Sequence, residues 1–201
     1  MKLADKKHPD KRYERKFFLP GVHYKEVVAA LHLHPANFRT IFHARLVNNI
    51  YFDSLGSHCY ISQINGDMHR RKYRIRWYGE PKEWVANPVL EIKSKYGWCG
   101  TKDSYPLAAL ALTNDVRADI DSCIERSDVP SEPGVEIASL VPAVINRYKR
   151  CYLQSVDTRF RITLDSELTF WDPKNIHRAY RGFYTNNIYT ILEIKSFRQL
   201  T

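Results

Sequence analysis

Lys72-Tyr73-Arg74-Ile75-Arg76-Trp77-Tyr78-Gly79 reads as a two-faced strand. Successive side chains of a strand point to opposite faces, so Tyr73, Ile75 and Trp77 share one side and Arg74 and Arg76 the other. Gly79-Glu80-Pro81 then stops the run. The same pattern recurs along the chain, with charged residues two apart at Glu14/Lys16, Glu91/Lys93, Arg159/Arg161 and Glu193/Lys195. Their neighbours are apolar or aromatic: Tyr13 and Phe17, Leu90 and Ile92, Phe160 and Ile162, Leu192 and Ile194. One sheet face is therefore apolar, and the other is mostly Arg, Lys and Glu, where a solvent face would mix in Thr, Ser and Gln. Such a sheet, closed with its charged face inward, would enclose a basic channel with a few carboxylates. That interior suits a polyanion and a divalent metal.

Working outward, strands are expected over 12–19, 45–52, 89–96, 148–155, 159–164 and 189–196. A helix is expected over 24–31, and one helix or two short ones over 106–125, where Leu107, Leu110, Val116, Ile120 and Ile124 fall at roughly helical spacing. A loop is expected over 127–134 from Pro130 and Pro133, a helix weakened by Pro142 over 136–146, and a tight turn at Asp157-Thr158. The pentads Leu90-Glu91-Ile92-Lys93-Ser94 and Leu192-Glu193-Ile194-Lys195-Ser196 echo each other, which suggests equivalent strands in a pseudo-symmetric barrel.

The 201 residues suit one domain with a sizeable core. Lys and Arg number 31 against 22 Asp and Glu, a formal charge of +9, which favours a polyanionic partner or an acidic surface. The charged start of the chain lacks the apolar core of a secretory signal, and there is no run of about 18 apolar residues to span a membrane. Cys59, Cys99, Cys123 and Cys151 are scattered without metal-type spacing and read as reduced thiols of a cytoplasmic protein. The paired His32 and His34 and the dispersed His8, His23, His43, His58, His69 and His177 do not make a zinc site. P-loop, dinucleotide-binding and hydrolase-elbow motifs are absent. The aromatics fall mainly on the apolar side of strands, which favours core packing over a base-stacking platform.

Arg74 and Arg76 are the most specific local feature. A guanidinium is a planar fork that matches phosphate oxygens, stays charged at any working pH and stabilises charge during phosphoryl transfer. Lys16, Lys93, Arg150 and Arg161 would add cations from other strands, with Arg159 and Lys195 beside them. Converging cations repel one another unless a multiply charged anion lies between them, so the set implies a ligand. Glu193, Glu91 and Glu14 are the carboxylates of the same face. They are either oxygen ligands for Mn2+ or Mg2+, or spacers that pair with neighbouring cations and set their geometry.

Arg12-Tyr13-Glu14-Arg15-Lys16-Phe17, Asn49-Ile50-Tyr51-Phe52-Asp53, Arg74-Ile75-Arg76-Trp77-Tyr78-Gly79, Leu90-Glu91-Ile92-Lys93 and Arg159-Phe160-Arg161-Ile162-Thr163-Leu164-Asp165 together resemble the VTC (vacuolar transporter chaperone) domain. This is the polyphosphate polymerase branch of the CYTH-like triphosphate tunnel metalloenzymes. The resemblance implies an α+β fold, a closed antiparallel β-barrel tunnel with accessory helices. It implies metal-dependent phosphoryl transfer, above all polyphosphate synthesis from ATP, with Mn2+ or Mg2+. Lys16 matches the lysine of the first tunnel strand, Arg74 and Arg76 the Arg-x-Arg pair, and Lys93 the lysine of the Glu-x-Lys strand. Arg150 and Arg161 resemble two later substrate-binding arginines, and Glu193 the metal-binding glutamate near the end of the barrel. The implied partners are ATP, triphosphate and polyphosphate; nucleic acid is not expected, since a closed tunnel excludes a duplex. Membrane or regulatory partner proteins are left unspecified. The family usually continues into a further helix and a short Ser-Lys strand, so the expectation over 1–201 is a single domain without that segment. Two alternatives share the site: an inorganic tripolyphosphatase or nucleoside triphosphatase, and a non-catalytic polyphosphate-binding module.

Overall fold

The alternating runs become strands because each offers one apolar face to a core. In chain order the computed structural model contains β1 (Arg12–Pro20), α1 (Tyr24–Leu33), β2 (Arg39–Asp53), α2 (His58–Asn65), β3 (His69–Tyr78), β4 (Trp84–Val85), β5 (Val89–Tyr96) and β6 (Cys99–Pro106). Then follow β7 (Leu110–Ala111), α3 (Val116–Glu125), α4 (Ser131–Ala138), β8 (Val141–Gln154), β9 (Phe160–Trp171), a short helical turn at Pro173–Asn175, β10 (Phe183–Tyr184) and β11 (Tyr189–Phe197). The structure describes residues 12–80, 84–97, 99–113, 115–175, 183–184 and 189–197; His8, Pro81 and His177 lie outside them. The fold is mixed α+β, with a large antiparallel sheet and four α-helices among the described residues. Also among the described residues, no helix is long and apolar enough to cross a membrane.

The chain divides into two compact units: residues 1–45, 149–167 and 186–201 form the first, and 46–148 and 168–185 the second. In the first unit the strand order is β1-β11-β9-β8. Cys151, Leu153, Ile162 and Leu164 pack there with Val27 and Phe38, and with Leu192 and Ile194 at the margin. Helix α1 starts on a cap in which His23 Nδ1 accepts from the Lys25 N–H and Glu26 Oε1 accepts from the His23 N–H, both at 3.2 Å. In the second unit β2-β3-β5-β6 are successive antiparallel neighbours. Ile50, Phe52, Tyr73, Ile75, Trp77, Leu90 and Ile92 form one core with Ile120 and Ile137 from α3 and α4. Each fully buried Ile or Leu contributes about 1.5–3 kcal/mol, which pins the register and leaves Arg74, Arg76 and Glu91 on the opposite face.

One strand was not expected, and three expectations about local structure are corrected. Residues 99–106 are β6, a polar strand without alternating apolar residues, formed because Gly97 at φ 59° turns the chain back along β5. The helix expected over 106–125 is confined to α3, which begins where the Asp115 side chain accepts from Ala118 N–H; Leu107, Leu110 and Leu112 enter the core ahead of it. The stretch expected as a loop contains α4, since Pro133 lies in the first turn, where a missing N–H costs nothing. Residues 141–146 then join β8 rather than a helix; Val144 and Ile145 are β-branched, and Pro142 sits at the strand's start, where a proline is tolerated.

Candidate functional site

In the second unit, β2 sets Tyr51 opposite Arg74 and Asn49 opposite Arg76, while β5 sets Glu91 opposite Arg74. Arg74 Nε donates to Glu91 Oε2 at 2.6 Å and its Nη1 to the Tyr51 hydroxyl at 3.2 Å. Arg76 Nε donates to Asn49 Oδ1 at 3.0 Å, its Nη2 to the Tyr148 hydroxyl at 3.3 Å, and its Nη1 lies 3.6 Å from Glu91 Oε2. Lys102 Nζ, from β6, donates to Glu91 Oε1. Asn49 is itself oriented by donating from Nδ2 to Asn146 Oδ1 at 2.8 Å. Thus three cations share one carboxylate, and the guanidinium forks are held by neutral phenol and amide groups.

This face is charged and yet withdrawn from water. The Arg76 and Glu91 side chains are 12% and 9% exposed. Burial by itself would push the Glu91 carboxyl up, but Lys102, Arg74 and Arg76 outweigh it and hold the group below the usual carboxylate value. Next to this cluster Lys72, Lys93 and Lys102 stand in register across β3, β5 and β6. Lys93 is exposed and has no ion pair among the described residues. Like charges directly opposite each other destabilise a sheet, and Glu91 beside Lys102 offsets part of that repulsion.

In the first unit Glu193 on β11 sits opposite Lys16 on β1 and Thr163 on β9, and Lys195 sits opposite Glu14 and Arg161. Lys195 Nζ lies 3.1 Å from Glu193 and 3.8 Å from Glu14; Lys16 Nζ lies 4.0 Å and 3.7 Å from the same two. Thr163 Oγ1 donates to Glu193 Oε2 at 3.2 Å. The two carboxyls face each other across the β1–β11 pair, each beside both lysines. That contact, burial and the Glu193 charge push Glu14 up. Burial would push Glu193 up as well, but the contact with Glu14 and the two lysines outweigh it and bring Glu193 down.

Arg150 on β8 grips Asp165 on β9 with two bonds of 2.6 Å, Nε to Oδ1 and Nη2 to Oδ2. Arg161 is an exposed side chain of β9. Arg159 is corrected: it lies before β9, after Thr158 at φ 61°, and its Nε donates to Asp157 Oδ2 at 2.6 Å. It therefore does not share a strand face with Arg161. A turn needs a residue that stabilises its own backbone, and Asp157 does so by accepting from the Arg159 N–H.

The structure thus brings Arg74, Arg76, Glu91 and Lys93 together on one unit, and Lys16, Glu14, Glu193, Lys195, Arg161 and Arg150 on the other. Sequence reasoning missed Lys102, Lys72, Asn49, Tyr51, Tyr148 and Asp165. Tyr51 and Tyr148 lie on the charged face, where their hydroxyls accept from arginine, unlike the core aromatics. Asp165 was legible as the next same-face residue after Arg161 and Thr163, one step past the expected end of the strand. Lys102 carried no signal, because its strand has no apolar alternation.

The chemistry of a divalent metal can be tested against both carboxylate groups. Glu91 has its oxygens occupied by three cations, which does not fit a metal ligand. Glu14 and Glu193 supply oxygen donors side by side, and magnesium-like ions bind through one or two carboxylates while keeping waters and substrate phosphates. That pair fits, even though no cluster of three or more His, Cys, Asp or Glu side chains exists among the described residues.

The family model of the VTC domain matches residues 11–200. Among solved structures, a Hippeastrum protein assigned as an adenylyl cyclase and described as having a dominant triphosphatase activity is similar at 15% identity and TM-score 0.48, over 92% of this chain and 80% of that one. A Vibrio parahaemolyticus protein assigned as an adenylate cyclase is similar at 8% identity and TM-score 0.49, over 94% and 78%. A Pyrococcus horikoshii protein is similar at 10% identity and TM-score 0.45, over 94% and 80%. No curated protein matches the chain.

Proposed function

This chain belongs to the VTC domain family, and from that membership we propose that it transfers phosphoryl groups on triphosphates, with polyphosphate synthesis from ATP as its reaction. The observation that carries this reading is the shielded Glu91 cluster, in which Arg74, Arg76 and Lys102 exceed the single carboxylate between them. A closed tunnel, a single domain over the whole chain and a cytoplasmic location belong to the same proposal.

Arg74 and Arg76, with Arg150 and Arg161, clamp phosphate oxygens, and Lys16, Lys93, Lys102 and Lys195 add positive charge. Asn49, Tyr51 and Tyr148 hold the forks of Arg74 and Arg76 so that they need not reorganise as charge develops. Glu193 and Glu14 are the side chains that would hold manganese or magnesium, and Glu91 is the counter-ion that spaces the arginines. A bound divalent metal supplies neutralisation of phosphate charge. In the transfer, a terminal oxygen of the growing chain forms the new P–O bond to the γ-phosphorus of ATP, the bond to ADP breaks, and ADP leaves with its electron pair. No covalent intermediate on the protein is needed.

The test is ATP turnover with manganese and a short polyphosphate primer, following polymer length and free phosphate together. Polymer growth matched by ADP release, abolished in Arg74→Ala/Arg76→Ala, is expected. Free phosphate without growth assigns a hydrolase. Tripolyphosphate binding without turnover assigns a binding module.

A further inference from the structure

The first part of β2, Arg39 to Arg45, is exposed, and the strand becomes buried only from Val47. Its Phe42 ring is 50% exposed even though it meets the Tyr152 ring of β8 edge to face, with centroids 5.7 Å apart. The Arg45 guanidinium lies over both rings, 5.0 Å from the Phe42 centroid and 5.9 Å from that of Tyr152. Bases stack on aromatic rings and on arginine planes alike, so this exposed group is a stacking surface.

Its place in the first unit decides what it can stack. Cys151 and Leu153 of β8 enter the core, so Arg150 and Tyr152 point to the opposite face. Ser155 N–H bonds the Phe160 carbonyl between β8 and β9. Counting back from that bond sets Arg150 opposite Asp165, as their ion pair requires, and Tyr152 opposite Thr163, which donates to Glu193. Across the sheet in the order β11-β9-β8-β2, the side chains therefore run from Glu193 and Lys195, through Arg161 and Thr163, to Arg150 and Tyr152, and then to Phe42 and Arg45. Strands lie about 4.8 Å apart, so the two steps from β9 to β2 cover about 10 Å. Cations suited to phosphate oxygens hold one end of this line and a stacking surface holds the other. A polyphosphate chain matches the first end only. A nucleoside triphosphate, in which a ribose spaces a flat heteroaromatic ring from the phosphates, matches both.

We propose that Phe42, Arg45 and Tyr152 form a nucleobase platform, on which the base of a nucleoside triphosphate stacks while its phosphates lie over β9 and β11. This rests on the reading of the charged face as a triphosphate site. Stacking uses the π-face that every base has, so the platform selects nucleoside triphosphates over inorganic triphosphate and does not choose between ATP and GTP. It also separates phosphoryl donor from acceptor, because an acceptor chain without a base does not compete for this surface.

The experiment is calorimetric titration of the full chain, in the presence of manganese, with tripolyphosphate and with the β,γ-imido analogues of ATP and GTP, which do not pass on their γ-phosphoryl group. Phe42→Ala is expected to weaken both nucleotide analogues about tenfold and to leave tripolyphosphate within about twofold of the parent protein. Phe42 is exposed and uncharged, so this substitution alters neither the net charge nor the core. Phe42→Trp, which keeps a π-face, should bind both analogues at least as tightly as the parent. Arg74→Ala/Arg76→Ala should weaken all three ligands together, so the phosphate clamp and the platform are read separately. Nucleotide binding unchanged in Phe42→Ala, or an equal loss of tripolyphosphate, would overturn the platform and leave the triphosphate reading standing. A parent protein that binds none of the three would overturn both.

Discussion

The Glu91 and Glu193 clusters are built from the same five residue types, Leu-Glu-Ile-Lys-Ser, each on a strand with antiparallel neighbours, yet they differ in charge balance. Around Glu91 the neighbouring strands supply Arg74, Arg76 and Lys102, and the strand's own Lys93 stays unpaired among the described residues. Around Glu193 they supply Glu14 and Lys16, and the strand's own Lys195 bridges both carboxylates. One pentad thus anchors an excess of cations, and the other a carboxylate pair balanced by two lysines. What a Glu-x-Lys strand does is decided by the residues in register with it, which is a property of sheet pairing.

The largest expected effect separates the two clusters by chemistry. Arg74→Ala/Arg76→Ala should lower turnover by about 1,000-fold, the scale seen when preorganised donors to developing charge are removed. Turnover within tenfold of the parent protein would break the comparison, because the excess of cations would then have no catalytic meaning.

The next effect is on stability. Glu91→Ala removes the only carboxylate among three clustered cations and should destabilise the fold by about 3 kcal/mol, measured by urea denaturation. Tripolyphosphate should restore much of that loss, since it binds the native state and replaces the missing negative charge. Glu14→Gln at the other cluster should be close to neutral, because it removes one of two neighbouring carboxyls whose charges repel each other. A Glu91→Ala protein as stable as the parent would mean that water screens the cations despite their burial.

The parts of this comparison that could be read from the chain were those written as alternation. The expected strand at 89–96 has the bounds of β5, because Leu90, Ile92 and Ser94 alternate with Glu91, Lys93 and Lys95 and Gly97 ends the run. β6 was not legible, because an edge strand with one exposed side chain after another has no core to dictate its pattern. With it went Lys102 and the lysine row. The Glu14–Glu193 contact was legible only as two carboxylates on similar strands, since nothing local specifies that β1 and β11, from opposite ends of the chain, lie side by side. Arg159 was misread because the expected strand began directly after the Asp157-Thr158 turn, whereas β9 begins one residue later, at Phe160.

A third effect, smaller again, is on metal. Glu193→Gln should weaken manganese binding by at least about tenfold in calorimetric titration, whereas Glu91→Gln should leave it within about twofold. Equal losses in the two variants would show that Glu91 shares the metal and that the clusters do not divide the work.

The smallest effect is a difference in sign with pH. Glu14 has its carboxyl raised in the native state, so folding takes up a proton between the ordinary value of 4.5 and the raised one. Its contribution to stability is therefore present at lower pH and lost as pH rises through that window. Glu91 is lowered, so its contribution is present above the ordinary value of 4.5 and is lost only as pH falls through its native value. Denaturation midpoints measured from pH 3 to 7, on the order of one point per half unit, should show Glu14→Gln removing a downward slope and Glu91→Gln removing an upward one. Protons compete with manganese for these carboxyls, so its affinity should climb as pH rises through the same window in the parent protein and less steeply in Glu14→Gln. If the two variants tilt the profile in the same direction, Glu14 is not raised by its contact with Glu193, and the carboxylate pair cannot be the metal-binding half of the contrast.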